Sequence, residues 1–148
     1  MTLAVDVQYA CAAVSPPTID QIRAWATAAR IGRQAAAVVV RIVDEAEGAE
    51  LNARYRHRDH ATNVLSFPFE APPEAKSTLL GDLVLCAPVI AREADEQGKT
   101  ASAHWAHLII HAMLHLQGYD HESEHEACAM EALETEIMGR LGYRNPYE

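Results

Sequence analysis

No stretch of this 148-residue chain approaches the ~20 consecutive apolar residues that a membrane span requires. The opening MTLAVD lacks the basic and apolar regions of a secretory signal, so a cytoplasmic protein with no membrane partner is expected. Cysteine is scarce: Cys11, Cys86 and Cys128 are odd in number and scattered, with no C-x-x-C pair, and read as reduced thiols. Positive charge is also short. Lys and Arg number 12 against 21 Asp and Glu, and the net charge of −9 tilts against a polyanion binder, which usually shows a basic surface. Repeats, low-complexity tracts and linkers are missing, and Pro16-Pro17 and Pro72-Pro73 read as loops within one domain over 1–148. The most informative absence is local: residues 100–117 contain no Asp, Glu, Lys or Arg.

What is present is enough apolar residue, 49%, to build a core. Residues 3–9 alternate in part between apolar and polar, as a half-buried strand does. Pro17 and Thr18 open a helix over about 19–30, with Ile19, Ile22, Trp25 and Ala26 on one face. The β-branched run 36–43, broken only by Arg41, predicts a strand covered on both faces. Asp44 with Glu47 resembles a capping box that starts a helix carrying Leu51 and Tyr55 inward. Residues 62–69 and 82–87 predict a strand pair joined through the proline-containing loop, and 89–97 a short acidic helix ended by Gly98. The uncharged segment 100–117, apolar nearly all round, belongs in the middle of the domain. A last helix over about 122–141 turns Ala127, Met130, Leu133, Ile137 and Met138 to one side. The expected fold is α+β: a mixed sheet of about four strands packed with helices, one buried central helix presenting histidines.

That central helix carries His104, His107, His111 and His115 within an arc of about 80°. One histidine in a core is usually a satisfied polar residue. Four on one arc, followed by His121 beyond Gly118, point to a ligand set. His111 and His115 stand one turn apart on one face. Glycine tolerates the left-handed conformation that ends helices, so Gly118 can stop the helix and send His121 back as a third ligand. Three neutral imidazoles with an open fourth position describe a catalytic zinc site rather than a structural one. His107 and His111 have the same spacing, but the returning loop reaches the His115 end first, leaving His107 either beside the ion or in the core.

The spacing equals that of metzincin peptidases, H-E-x-x-H-x-x-G-x-x-H, except that Ala112 replaces the glutamate that takes a proton from the zinc-bound water. Peptide hydrolysis is thereby disfavoured. Asp120 could orient an imidazole N–H, with general base as a lesser reading. Arg56 has two readings of equal weight: a cation at a helix C-terminus together with Arg54 and Arg58, or a guanidinium that pairs bidentately with a phosphate. Residues 62–67 are most simply a strand. If that strand is an edge near the ion, its backbone and the Ser66 hydroxyl line a substrate groove.

Four blocks then carry a resemblance: LNARYRHRDHATNVLSFPFE (51–70), LLGDLVLC (79–86), HWAHLIIHAMLHLQGYDH (104–121) and MEALETEIMGRLGY (130–143). In this order the chain resembles the YbeY family of bacterial metal-dependent endoribonucleases over most of its length. The resemblance implies zinc-dependent, single-strand-specific RNA cleavage with one Zn2+ per chain, acting in maturation of the 3′ end of 16S ribosomal RNA and in ribosome quality control. It implies single-stranded and ribosomal RNA as partners, with ribosomal proteins or an assembly GTPase as further ones. Carried over by motif, His111, His115 and His121 are the metal ligands and Arg56 the functional arginine. Two positions bear on the match: Ala112 stands where the family usually has glycine, and Asn63 is one of two family forms, the other being aspartate.

A zinc ion on three histidines can lower the pKa of a water from about 15.7 towards 7, so a neighbouring carboxylate is dispensable. The nucleophile is then either that water or the RNA's own 2′-hydroxyl, and the sequence leaves both open. Two other function classes remain: a metallohydrolase on another substrate, including a degenerate peptidase, and a ribosome-assembly factor whose metal only stabilises it.

Overall fold

The computed structural model describes residues 3–11, 16–58, 60–69, 78–120 and 122–147. Four strands, β1 (Leu3–Ala10), β2 (Ala36–Val43), β3 (Val64–Pro68) and β4 (Leu79–Cys86), form one sheet in the order β1-β2-β4-β3. β1 and β4 each pair parallel with β2, and β3 runs antiparallel to β4, so the sheet is mixed and β3 is an edge. Five helices complete the chain: α1 (Ile19–Ala28), α2 (Glu45–Arg56), α3 (Ala87–Glu96), α4 (Ala101–Leu116) and α5 (Glu124–Arg140). The α+β class and the pairing of β3 with β4 agree with expectation. The proline-containing loop between them lies outside the described residues.

The strands alternate between two apolar clusters, as a period of two requires. Val38, Val40, Ile42, Leu83 and Leu85 face the larger, which α1, α4 and α5 fill with Trp25, Ile109, Ile110, Met113, Leu114, Met130 and Ile137. Val43, Leu65, Val84 and Cys86 face the smaller one, against which Leu51 of α2 packs. α4 touches α1, α3, α5, β3 and β4. Ten of its residues are buried, among them His104 and Ala112. A segment without Asp, Glu, Lys or Arg can be enclosed in this way, since its few uncharged polar groups need only hydrogen-bond partners.

Helix ends follow local chemistry. Thr18 and Gln21 make a reciprocal capping box, and Thr100 accepts from the Ala103 N–H to open α4. α4 stops at Gly118, where φ is +103°, with Tyr119 N–H returning to the Leu114 carbonyl and Gly118 N–H to that of His115. This is a Schellman closure, and the positive φ is what the glycine permits.

Three expectations change. Asp44 does cap α2, but its side chain makes no capping hydrogen bond. Glu47 reaches instead for Arg41 of β2, at 2.6 and 3.0 Å, since a bidentate guanidinium outcompetes a single backbone N–H. That pair also leaves one face of β2 only half-buried, with Arg41 and Val39 partly exposed. Tyr55 points outward at 51% exposure. α2 approaches the sheet through its smallest side, Gly48, where an added Cβ would lie 3.3 Å from Cys86 Sγ. The buried residues of α2 are Gly48 and Asn52, and Tyr55 lies edge-on to Phe67 at 5.3 Å.

Candidate functional site

α4 and the edge strand β3 enclose a pocket of about 190 Å3 lined by His111, His115, Arg56, Ser66, Val64 and Leu65. Two residues from one helix face thus meet a cation that the chain presents more than fifty positions earlier. Arg56 is the last residue of α2, and His57 behind it adopts the left-handed conformation with φ +58°. This ends the helix and lets the guanidinium turn toward β3. Arg56 Nη2 donates to the Ser66 carbonyl at 2.8 Å, and its guanidinium stacks over the Phe67 ring at 5.3 Å. Asn52 ties the same helix end to the following segment by donating to the His60 carbonyl at 2.7 Å.

The four helix histidines divide by the nitrogen they commit. His104 Nε2 bonds Glu93 at 2.8 Å, and His107 Nε2 bonds Glu134 at 2.7 Å. His111 and His115 instead use Nδ1, toward Glu134 at 3.1 Å and the Tyr119 carbonyl at 3.1 Å. A carbonyl and an ionised carboxylate only accept, so Nδ1 of both carries the hydrogen, and in the neutral ring Nε2 then carries the lone pair. That is the tautomer a metal-ligating imidazole needs, held by the second contact such ligands usually make. Two imidazoles one turn apart thus line one pocket, and imidazole is a donor that a zinc ion accepts.

His121 lies outside the described residues, and among the described residues no group of three His, Cys, Asp or Glu side chains could hold a metal ion. Asp120 is half-buried and is not among the pocket's lining residues. Ser66 lines the pocket, and it is its carbonyl that holds Arg56.

Glu134 was not singled out from the sequence. It has no exposed surface, sits on α5, and accepts from His107, His111 and the Tyr147 hydroxyl, the last at 2.9 and 3.0 Å. Burial alone would raise its pKa, but hydrogen bonds from the two imidazoles and their charge overcome this and bring it down to about 2. Tyr147 is pushed up from the ordinary tyrosine value by burial and then by the Glu134 charge beside it. A signal was available: Glu134 stands four residues after Met130 and three before Ile137, inside the apolar stripe of α5. A second cavity of about 440 Å3 opens near the start of α4 and includes Lys99, Arg144 and His107, but neither His111 nor His115.

Fold and pocket together define an α+β protein whose central helix offers an H-x3-H pair to a site at the sheet edge. The chain belongs to the endoribonuclease YbeY family, whose model matches residues 15–142. It is 53% identical over 146 residues to endoribonuclease YbeY of Cellvibrio japonicus, an alignment spanning 97% of this chain and 82% of that one. The fold is shared with the solution structure of TM1509 from Thermotoga maritima, at a TM-score of 0.55 and 24% identity, covering 95% of this chain and 91% of that one. Among the described residues no helix is long and apolar enough to cross a membrane.

Proposed function

We propose that this chain is a zinc-dependent, single-strand-specific endoribonuclease of the cytoplasm that acts in 3′-end maturation of 16S ribosomal RNA and in ribosome quality control. In this reading residues 1–148 are one metallohydrolase domain, His111, His115 and His121 hold one Zn2+, and Arg56 meets the phosphate. The observation that carries it is the single pocket shared by His111, His115 and Arg56. Family membership supplies the RNA substrate, and the ribosomal role rests on the resemblance of the four sequence blocks. Ribosomal proteins or an assembly GTPase would deliver an acidic chain to an acidic polymer, a docking that its net charge of −9 does not favour unaided.

Bound zinc would supply a Lewis acid and a water of lowered pKa. The chain's own residues do the rest. Arg56 is fixed by a backbone carbonyl and an aromatic face, so it pays little ordering entropy when it pairs with a non-bridging phosphate oxygen. Ser66 walls the groove, and Asp120, next to His121 in the chain, would support that ligand. Tyr55, half exposed beside Phe67 and next to Arg56 in the chain, offers a face on which an unpaired base can stack, while a base locked in a duplex cannot.

The test is cleavage of a defined single-stranded RNA by metal-stripped protein, then after one equivalent of zinc, with His115→Ala and Arg56→Ala alongside. Cleavage returning with zinc only in the unsubstituted chain, and reduced by about 10²–10³ in Arg56→Ala, supports the reading. No cleavage by folded, zinc-loaded protein would overturn it in favour of an assembly factor. A 2′-O-methyl substrate that resists cutting, with cyclic phosphate ends on the ordinary one, would identify the RNA hydroxyl as nucleophile.

A further inference from the structure

We propose that Glu134 is a positioning residue: it fixes the ring orientation and tautomer of His111 so that Nε2 is presented for metal binding. The inference rests on the reading of His111 as a ligand and adds a residue of α5 to that site.

A carboxylate without exposed surface must fill its lone pairs, and Glu134 does so entirely from within the chain. Two of its donors are enough to hold it in place. His107 Nε2 approaches at 2.7 Å and the Tyr147 hydroxyl bridges both oxygens at 2.9 and 3.0 Å. The His107 and Tyr147 rings are themselves packed edge to face, with centroids 5.3 Å apart. The carboxylate is therefore anchored before His111 is considered. His111 Nδ1 meets the same Oε1 at 3.1 Å while its side chain keeps 28% of its surface exposed on the pocket side. An imidazole at a pocket wall turns readily about its χ2 torsion, and a single fixed acceptor behind Nδ1 removes that freedom. His115 obtains the same service from the Tyr119 carbonyl, at the turn that Gly118 makes possible. Only His111 needs a side chain for it, because its neighbouring carbonyls are committed to the interior of α4.

A merely structural carboxylate would matter for stability and leave the metal untouched. The experiment measures zinc affinity of the full chain by competition with a chromophoric chelator, at a temperature where circular dichroism shows the metal-free protein folded. Glu134→Leu, which fills similar space and removes the acceptor that a glutamine oxygen would retain, is expected to weaken zinc binding about 10–100-fold. A folded Glu134→Leu chain that binds zinc within twofold of the unsubstituted protein, whatever its melting temperature, overturns the proposal. The unsubstituted chain supplies a second readout that needs no variant to fold. Long-range 15N–1H spectra should show His111 protonated on Nδ1 both without zinc and with it. A hydrogen on Nε2 in the metal-free chain overturns the proposal. His111→Ala separates the two levels: full zinc affinity in that variant would sink the ligand reading itself, whereas unchanged affinity in Glu134→Leu alone would leave it standing.

Discussion

Gly81 lies where β4 meets β3 and the end of α4, and replacing it by alanine should be costly out of proportion to one methyl group. It pairs with Pro68 across β3 and β4 at φ +152°, a conformation that L side chains rarely adopt. A Cβ built there would overlap the Phe67 carbonyl oxygen and lie 2.9 Å from Leu116 Cδ2 and 3.0 Å from Pro68 Cα. The backbone conformation contributes about 1–3 kcal/mol and the overpacking a further ~1–3 kcal/mol, giving about 2–6 kcal/mol together. At roughly 2–4 °C per kcal/mol for a chain of this size, Gly81→Ala should melt about 4–24 °C lower. The Leu116 side chain can swing aside, but the two backbone contacts are relieved by moving β3, which holds Arg56 through the Ser66 carbonyl, away from α4 and its His115. That movement parts the cation from the histidines. RNA cleavage measured well below the new melting point should therefore fall by at least about 10-fold, while circular dichroism still reports a folded chain. A Gly81→Ala protein melting within about 2 °C of the original would refute the steric account. One that melts low yet cuts normally would refute the link to the pocket.

Two further outcomes follow from the same geometry. Tyr55→Ala removes the exposed ring beside Phe67 and should raise KM for single-stranded RNA about 5–100-fold, from a stacking loss of about 1–3 kcal/mol, with kcat nearly unchanged; an unaltered KM would remove the base-stacking role. Glu134 has its folded pKa depressed to about 2 from 4.5, so its stabilising contribution is complete above about pH 4.5 and is lost as pH falls towards 2. Acid melts should show a steeper fall across that window in the original chain than in Glu134→Gln, and equal slopes would contradict the assignment.

The legible parts of this chain are those where local chemistry and tertiary demand agree. Thr100, the uncharged segment after it and Gly118 mark α4 within a residue or two at each end, because capping and closure are properties of a few adjacent residues. The edge position of β3 was not legible, since strand order depends on which neighbours pair, and that is decided by the whole core. Tyr55 was misplaced because an aromatic residue usually belongs inside, whereas the close approach of Gly48 to Cys86 leaves no room for it under α2. Glu134 was hidden by the opposite default, that an acid lies outside.

The burial of Glu134 and the absence of charge on α4 have one cause. A central helix with no acid of its own and four histidines cannot satisfy them from within, so acceptors must arrive from elsewhere. Glu93 of α3 serves His104, Glu134 of α5 serves His107 and His111, and a carbonyl beyond Gly118 serves His115. The direction of each delivery determines which nitrogen it takes. Acceptors that meet Nε2 fix His104 and His107 as parts of the scaffold. Acceptors that meet Nδ1 leave the lone pair of His111 and His115 on the nitrogen through which an imidazole reaches an ion. The missing charges on α4 and the acids facing it are therefore one design: the helix supplies donors, its neighbours supply acceptors, and their placement sorts four similar histidines into two roles.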